Sequence, residues 1–576
     1  MEPIAAREHS GAIGRFYTES DAGGAGFRLQ RVLQHPSGWA MLTEMQDIEI
    51  PVLVVGGSLV GMATSMLLAH HGVRVLCVEH HRGTAIHPRA ALITQRSMEV
   101  LRVVGLESTV REASQTQFSQ DGAIMAVDTL AGKELAWFIP NINEGVRDIS
   151  PTVRLFITQK LIEPFMQQKT VELGAEVRFA TEMLSFEQDS GGVTAVIRHR
   201  DTAETNKVRA QYLVACDGAR SPIREALGIP LRGRGVLSNS ITIYFRAPVS
   251  DLLRGRNLSV ILVSNSKLRG FFRFEKPYES GFLVVNTAGD PSNPNTDLWT
   301  GLTNERCEEL VRTALGDAHV PIVIDDVMKW QARADAAERY RCGRVFLCGD
   351  SAHAITPYGG WNGNCGIQDA HDLAWKVAFA LRGDAGPELL ATYEAERRPV
   401  GVFTAEQAYL RYVTREAKYL ITPGLPRVEE DLNVEMGYLY RSPAILSQEA
   451  SDGRTHENPR ASLGRPGSRA PHVWIEHEGR RISTLDLFGR NFVLLAGRNG
   501  APWLKAASDA SREVGLDIPA YCCDIGEAYG TGAEGATLVR PDGFVAWRTS
   551  ATHAPLDQVL RSVLCRTDVR ACMEAQ

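Results

Sequence analysis

The sequence predicts a multidomain chain, α/β in a Rossmann-like nucleotide-binding part and α+β in the rest. Three observations carry that expectation. An uncharged apolar run at 52–55 passes through Gly56, Gly57, Ser58 and Gly61 into a second apolar run, and a third ends at Glu79, which is the pattern of a β-α-β unit. Strand-like segments fill 239–286 and suit an antiparallel sheet with one covered face. Beyond residue 470 the order strand, helix, strand, hairpin repeats the α+β theme on a smaller scale. At 576 residues the chain exceeds what one core holds, so about three domains are expected.

Residues 1–48 lack periodicity, hold Gly11, Gly14, Gly23, Gly24 and Gly26, and read as a poorly ordered tail in which Met41 or Met45 is an alternative start. The first strand is expected over 51–55, a helix over 59–71 with Gly72 closing it, and a second strand over 73–79. Residues 52–69 carry no charge over about the length of a membrane span. Gly56, Gly57, Ser58 and Gly61 interrupt that run, so a buried strand, turn and helix explain it better. No basic stretch followed by an apolar one opens the chain, so no secretory signal is expected. A helix over 94–104 ends at Gly105. Thr158 is placed to cap a helix that reaches 173 and stops at Gly174. Strands at 176–179, 184–188, 193–199 and 207–215 form a meander. Strands at 241–246, 258–263, 270–274 and 281–286 form the roof of a pocket. A helix over 299–315, a parallel strand over 344–348, and helices over 366–381 and 389–414 follow, the last bearing Arg397 and Arg398. Residues 423–459 read as a loop-rich linker. The final domain offers strands at 492–496 and 520–524, a helix at 503–514 between them, and a hairpin over 536–547 turned by Gly543 after Pro541-Asp542.

Composition excludes several function classes. A net charge of −6 with Lys and Arg scattered argues against a nucleic-acid binder. Ten cysteines without CxxC or Cys/His zinc spacing indicate reduced thiols and a cytoplasmic setting. Cys522 and Cys523 are adjacent, the wrong spacing for a redox pair. His70, His71, His80 and His81 flank a helix end and a strand end without carboxylates at ligand spacing, so no metal is expected.

Three segments carry chemistry. A pyrophosphate needs close backbone approach and a helix N-terminus aimed at it. Gly56 and Gly61 hold the outer glycine positions, Ser58 replaces the middle one, and Gly57 and Val60 share the turn. Glu79 stands where an acid binds a ribose hydroxyl, and it disfavours a 2′-phosphate. Asp217-Gly218 ends a strand, where the acid can take a hydroxyl and the glycine permits a sharp exit. Gly349-Asp350 ends another, where the acid can hold ribitol hydroxyls. Pro357, Gly360, Gly363 and Asn364 then open a helix whose N–H groups can stabilise negative charge on the N1–C2=O edge of a reduced flavin. In this order the segments suit one molecule, FAD.

Residues 212–224, with Asp217-Gly218, and 343–378, with Gly349-Asp350, resemble the DG and GD fingerprints of the class A flavoprotein aromatic hydroxylases, built on the para-hydroxybenzoate hydroxylase fold. His87-Pro88-Arg89-Ala90 resembles that family's flavin-contacting loop and Thr158-Gln159 its second FAD contact. Within the family, Gly360-Trp361-Asn362-Gly363-Asn364, Tyr440-Arg441-Ser442, Gly464-Arg465-Pro466-Gly467 and Val539-Arg540-Pro541-Asp542-Gly543 are most similar to the bacterial aromatic polyketide hydroxylases of the aklavinone and tetracenomycin type. Asn362 departs from the glycine usual in the family. The resemblance covers 50–576. It implies FAD as cofactor, NADPH or NADH as a transient co-substrate, and dioxygen. It also implies hydroxylation of a phenolic or other electron-rich aromatic molecule, polyketide-type, through a C4a-hydroperoxyflavin.

Baeyer–Villiger insertion or epoxidation by the same cofactor is an alternative, as is a non-catalytic flavin-fold binding or escort protein. The resemblance divides the chain into a Rossmann-like FAD-binding domain (49–120, 151–235 and 328–422), an antiparallel-sheet substrate domain (121–150 and 236–327), the linker, and a C-terminal thioredoxin-like domain (460–576) without redox cysteines. Arg89 and Gln159 are placed beside the cofactor, and Arg89 is a catalytic candidate. From the roof sheet, Tyr244, Arg246, Phe272 and Arg273 are pocket candidates, with Tyr244 and Arg273 taken as catalytic. A one-residue slip inverts that choice. His353 is expected to shape the flavin loop. Partners are limited to a small aromatic molecule, with no nucleic acid and no membrane, in a monomer or homodimer.

Overall fold

The first apolar run forms the strand Asp47–Val55, with Val52, Leu53 and Val54 fully buried. It lies between two parallel neighbours, Val75–Val78 and Thr205–Ala215. β-branched and leucine side chains without charge suit a strand covered on both faces. The computed structural model describes residues 47–89, 91–447 and 453–566. The tail expected over 1–46 and the loop residue Ala90 lie outside the described residues. Asp47 and Ile48, expected in that tail, already pair with Lys207 and Val208.

The sheet order is Arg341–Cys342, Val345–Leu347, Thr205–Ala215, Asp47–Val55, Val75–Val78, Glu176–Arg178. The meander Thr181–Gln188 and Val193–His199 joins it antiparallel on Thr205–Ala215. The helix Leu59–His70 packs on this sheet against Asn362–Arg382 and Gln159–Glu172. Gly72 follows its end with φ +80°, the left-handed conformation expected there. Thr158 stands at the N-cap of Gln159–Glu172, but its hydroxyl accepts from Gln117 and makes no bond to the helix amides, a correction to its expected capping role.

A second sheet has eight strands among the described residues, in the order His353–Ile355, Val323–Ala337, Leu231–Arg246, Ser280–Ala288, Leu268–Glu275, Leu258–Ser264, Ala123–Val127, Glu134–Ile139. Leu231–Arg246 and Val323–Ala337 are longer than expected and run through the boundaries drawn at 235 and 327. The helix expected from 299 begins at Asn304, because the Thr303 hydroxyl accepts the Arg306 N–H there. One face of the sheet buries Ile241, Ile243, Phe245, Phe272 and Leu283 against Cys307, Leu310 and Val311 of that helix. The other face carries Tyr244, Phe282 and Val284, with Phe271, Met328 and Trp330 beside them.

This settles which way the strands point. Tyr244 and Arg273 both stand opposite Phe282 in register, so they share the second face. Phe272 faces the helix core and is no pocket residue. Arg246 is exposed and paired with Asp325 at 3.0 Å, so it also leaves the pocket list.

The stretch expected to be a linker is packed where it is described. It contains the helix Asp431–Met436, and buried Tyr440 stacks on Phe544 with ring centroids 4.1 Å apart. The C-terminal sheet runs Ala520–Cys522, Val493–Ala496, Ala536–Val539, Val545–Thr549, with the first pair parallel and the others antiparallel. Gly543 turns its hairpin with φ +76°. A hairpin, Trp474–His477 with Arg480–Ser483, was not foreseen. Fully buried Arg540 reaches from this part to Glu396 (2.7 Å) and Asp372 (3.0 Å) on the long helices, and Lys376 bonds the same two carboxylates. Trp375 packs edge-on against Phe492 at 5.7 Å.

Replacing Arg540 by leucine leaves Asp372, Glu396 and Asp542 buried with one ammonium between them. The expected destabilisation is about 3–5 kcal/mol, the usual effect of removing one partner from a buried ion pair. A urea unfolding midpoint equal to that of the parent would contradict it.

Candidate active site

The first glycine-rich turn is shaped by close approach. A Cβ on Gly56, where φ is +101°, would lie 2.2 Å from the Cys216 carbonyl oxygen, and one on Gly61 would lie 1.7 Å from that of Gly56. Ser58 has φ −83° and ψ −166°, ordinary extended backbone, so serine is accommodated at the middle position without strain. Its hydroxyl donates to Glu163 Oε1 at 2.8 Å, and Gln159 Nε2 donates to both Ser58 Oγ and Glu163 Oε1 at 2.6 Å. The Ala85 N–H donates to Glu163 Oε2 at 2.6 Å. Glu163 is fully buried and was missed by the sequence reading. Its spacing of four from Gln159 on one helix face was the available signal. Glu79 is buried and accepts from the Gly57 N–H at 2.6 Å and the His81 N–H at 2.8 Å. The helix Leu59–His70 has neither a side-chain cap nor an acid in its first turn, which leaves its first N–H groups open to an anion.

Asp217 accepts the Ile223 N–H at 3.1 Å, while its Oδ1 is buried with no partner among the described residues, and burial raises its carboxyl above the usual range. Gly218 beside it has φ +88°. Gly349 has φ +66°, and a Cβ there would meet Val60 Cγ1 at 2.8 Å. Val60 therefore seats the second turn through packing. Asp350 accepts from Asn362 Nδ2 at 3.0 Å, so the departure from glycine at 362 supplies an amide to the acid. Burial raises the Asp350 carboxyl, opposed by the charges of His353 and Arg89.

Behind this turn Asp369 accepts from the Gly349 N–H (3.2 Å), His353 Nε2 (2.8 Å) and Arg397 Nε (2.7 Å). Although burial opposes its charge, Cys365 and Asp369 hold the His353 imidazole well above its ordinary range. His353 is thus locked in place beside the turn.

Pro357 leads into Gly359 and Gly360, at φ +107° and +68°, and the helix Asn362–Arg382 begins four residues earlier than expected. It too has no side-chain cap and no acid in its first turn. A Cβ on Gly363 would lie 2.9 Å from Leu59 Cδ2, so the first turns of the two uncapped helices adjoin. The Asn364 side chain is spent on structure: it accepts from the Thr94 N–H at 2.9 Å and donates to the Leu92 and Gly360 carbonyls at 2.8 and 2.7 Å. Only its backbone N–H is offered at the helix start.

The loop 85–89 joins this region to the second sheet. Arg89 is exposed, and its charge is felt at both the Asp350 carboxyl and the Tyr244 hydroxyl. Its carbonyl accepts the Gln159 N–H at 2.9 Å. The His87 ring stacks on Tyr244 with centroids 5.2 Å apart. Burial pushes the Tyr244 hydroxyl up to about 12. Arg273 is buried, with its guanidinium 4.4 Å from the Phe156 ring centroid and 5.6 Å from that of Phe118. Its Nη1 has no partner among the described residues, and burial pulls its pKa down to about 9. The structure therefore brings Arg89, Tyr244 and Asp350 into one electrostatic neighbourhood and sets Arg273 on the same sheet face.

A family model described as FAD binding domain matches residues 49–408, and one described as aromatic-ring hydroxylase, C-terminal, matches residues 464–567. The chain belongs to the FAD-dependent aromatic-ring hydroxylases. It is 49% identical to a 4-methyl-5-nitrocatechol 5-monooxygenase from Burkholderia sp over 90% of this chain and 98% of that one. It is 39% identical to a tetracenomycin B2 monooxygenase-dioxygenase from Streptomyces olivaceus over 91% of this chain and all of the other. The solved structure of aklavinone-11 hydroxylase in a ternary complex with FAD and aklavinone superposes with a TM-score of 0.83 at 36% identity, covering 91% of this chain and 100% of that one.

The residues of the hydroxylase fit FAD. Two adjoining helix N-termini await negative charge, and Asp217 Oδ1 awaits a donor. Replacing Asp350 by alanine removes a hydrogen-bonding acid expected at the ribitol. FAD should bind roughly 10- to 100-fold more weakly, the range for a charged hydrogen bond. An unchanged flavin-to-protein absorbance ratio after gel filtration would contradict this.

Proposed function

We propose that the hydroxylase inserts one atom of dioxygen into a phenolic or comparably electron-rich ring, using NADPH or NADH as the reductant. The carrying observation is Arg273: a buried guanidinium with an unpaired Nη1, on the sheet face that meets the 357–364 loop through Phe271 and Tyr358. Such a cation suits an ionised ring hydroxyl, whose negative charge offsets the desolvation of the guanidinium. The relatives named for a nitrocatechol, a tetracenomycin and aklavinone support a hydroxylated aromatic substrate, polyketide-type or smaller.

FAD, when bound, takes up the reducing equivalents and activates dioxygen. The chain's own residues do the rest. Gly56, Gly57, Ser58 and Gly61 give the pyrophosphate backbone access, with Val60 packing the turn. Glu79 takes a ribose hydroxyl, while Asp217 and Asp350 take hydroxyls further along. Gln159 braces Ser58. Pro357 and Gly360 shape the turn into the helix Asn362–Arg382, and Gly363 and Asn364 present its first N–H groups to the ring edge. Arg89, facing Asp350 and Tyr244, offsets negative charge on the reduced cofactor. Tyr244, protonated across the working range, donates to a substrate oxygen. Phe271, Phe282 and Val284 line the face with apolar surface and exclude water.

The C-terminal sheet is read as thioredoxin-like, and its exposed Cys522 and half-buried Cys523 as non-redox thiols. A cytoplasmic monomer or homodimer without nucleic-acid or membrane partners is supported by the net charge of −6 and by free cysteines. Among the described residues no helix is long and apolar enough to cross a membrane.

The test is oxygen uptake and NAD(P)H oxidation with a panel of phenolic polyketides and substituted catechols, followed by product NMR. A ring hydroxyl is expected, and an inserted ester oxygen or an epoxide would overturn the reading. Arg89→Ala should slow flavin reduction or hydroxylation by an order of magnitude or more while the protein still folds, and wild-type turnover would refute its role. Arg273→Leu should raise KM for ionised phenols about tenfold or more, as loss of a charge-assisted hydrogen bond implies.

A further inference from the structure

A second set of polar groups lies on the same sheet face, at the end of the helix Thr392–Arg415. Asn286 follows Phe282 and Val284 at alternate positions of the strand Ser280–Ala288, so it shares their face. It is fully buried: Oδ1 accepts from Ser240 Oγ, and Nδ2 donates to Tyr358 Oη and to Glu416 Oε1, each at 3.0 Å. Tyr358 belongs to the loop that leads into the uncapped helix Asn362–Arg382, and its ring meets Phe271 of the face at 6.5 Å. Glu416 is thus pinned by one oxygen between the sheet face and the flavin loop.

Its other oxygen is the informative one. Glu416 is 6% exposed, and Oε2 is buried with no partner among the described residues. The Tyr412 and Tyr419 hydroxyls face each other, and that of Tyr412 also faces Ser238. Tyr412 is one helical turn before Glu416, whose N–H donates to the Tyr412 carbonyl at 2.9 Å. Buried polar atoms are ordinarily paired, so the unmatched Glu416 Oε2 at this helix end marks the place of a hydrogen-bonding guest. The groups facing Glu416 are Asn286 from its strand, Arg269 from Leu268–Glu275, and the hydroxyl of Tyr419. Burial pushes the Glu416 carboxyl up to about 8, against the Asn286 hydrogen bond and the Arg269 charge.

We propose that Glu416 is the catalytic base of the hydroxylase: Oε2 takes the proton of the substrate's ring hydroxyl as the O–H bond breaks, its electron pair remains on the substrate oxygen, and the phenolate so formed activates the ring carbon that receives oxygen. The proposal rests on the phenolic reading given above. Arg273 serves a different part of the guest, since Phe282, its register partner, stands four residues from Asn286, about 13 Å along the strand. With its pKa raised, Glu416 is mostly protonated below about pH 8 and accepts protons above it, so product formation from an un-ionised phenol should rise through about pH 8.

The experiment compares the parent and Glu416→Gln, both loaded with FAD, on two substrates across pH 7 to 9. One is an alkyl-substituted phenol that stays mostly protonated over this range and the other a nitrocatechol that is mostly ionised. Glu416→Gln should lose about 100-fold or more of product formation with the first, the scale of general-base catalysis, and lose the rise near pH 8. The loss with the nitrocatechol should be far smaller. Equal losses on both substrates would indicate a structural role and overturn the proposal, as would no loss on either. Glu416→Asp keeps a carboxyl and should keep an inflection, displaced in pH, at a reduced rate. If Glu416→Gln does not load FAD, a flat Glu416→Asp profile overturns the proposal. Parent enzyme that turns over neither compound sinks the phenolic reading, and the proposal with it. A parent active on both, with Glu416→Gln unimpaired, sinks the base alone.

Discussion

The carboxylate of Asp369 holds the two sheets in register with each other. It is fully buried and accepts from the Gly349 N–H, from His353 and from Arg397. Gly349 opens the turn that follows the first sheet's strand Val345–Leu347, His353 begins the edge strand His353–Ile355 of the second, and Arg397 comes from the long helix behind both. One anion therefore fixes where the cofactor-facing turn stands relative to the substrate-facing sheet. Burial works against its charge, but Arg397 and His353 hold it below the usual carboxylate range. A buried pair of this kind adds little net stability against a well-packed apolar substitute. Its contribution is positional: each of the three donors has one place to point, and the turn carrying Asp350 has no freedom to drift.

Around that anchor, the three glycine-bearing segments meet by steric necessity. Val60 touches the space a side chain would need at Gly349 and at Gly366, 2.8 and 2.5 Å away. Gly56 needs the Cys216 carbonyl close by, and Gly363 needs Leu59. Segments separated by more than a hundred residues thus converge on one turn of the helix Leu59–His70. The pattern that looked like three independent signals along the chain is one packing problem, solved by removing Cβ atoms from the places where backbones approach.

Much of this was legible in the sequence because it is local. The β-α-β period, the helix-closing Gly72 and Gly105, and the DG and GD turns depend on nearest neighbours. What was not legible depends on pairing across the chain. The choice between Phe272 and Arg273 turns on register, and bulges near Gly233, Val236 and Arg269 shift that register where no local pattern shows it. The packing of residues around Tyr440 was hidden because a loop-rich composition describes backbone and says nothing of which aromatic ring it meets. Asn364 looked like a cofactor ligand, but its amide satisfies carbonyls 272 and 4 positions away in sequence. Glu416 sits in Thr414-Arg415-Glu416-Ala417-Lys418, which reads as a solvated helix end. Only the fold reveals that the chain turns there into the protein and takes the carboxyl with it.

The polar groups of the second sheet face share one property: several lack partners. Arg273 Nη1 and Glu416 Oε2 are both buried and unpaired. Leaving each of them desolvated and unmatched costs on the order of 1–3 kcal/mol, more for the charged ones, so a sequence shaped for stability alone would have closed these gaps. At the docking of the C-terminal sheet, by contrast, the charges of Arg540, Glu396 and Asp372 are matched to one another. The contrast separates the two kinds of buried charge in the molecule. The saturated network holds the framework, and the unsaturated one, with an unpaired cation's nitrogen toward one end and an unpaired acid toward the other, is completed by a guest that brings its own hydroxyls. A guest that spans both ends exchanges water for protein donors and acceptors along its length, which is the condition under which a proton can leave it without a solvent shell to receive it.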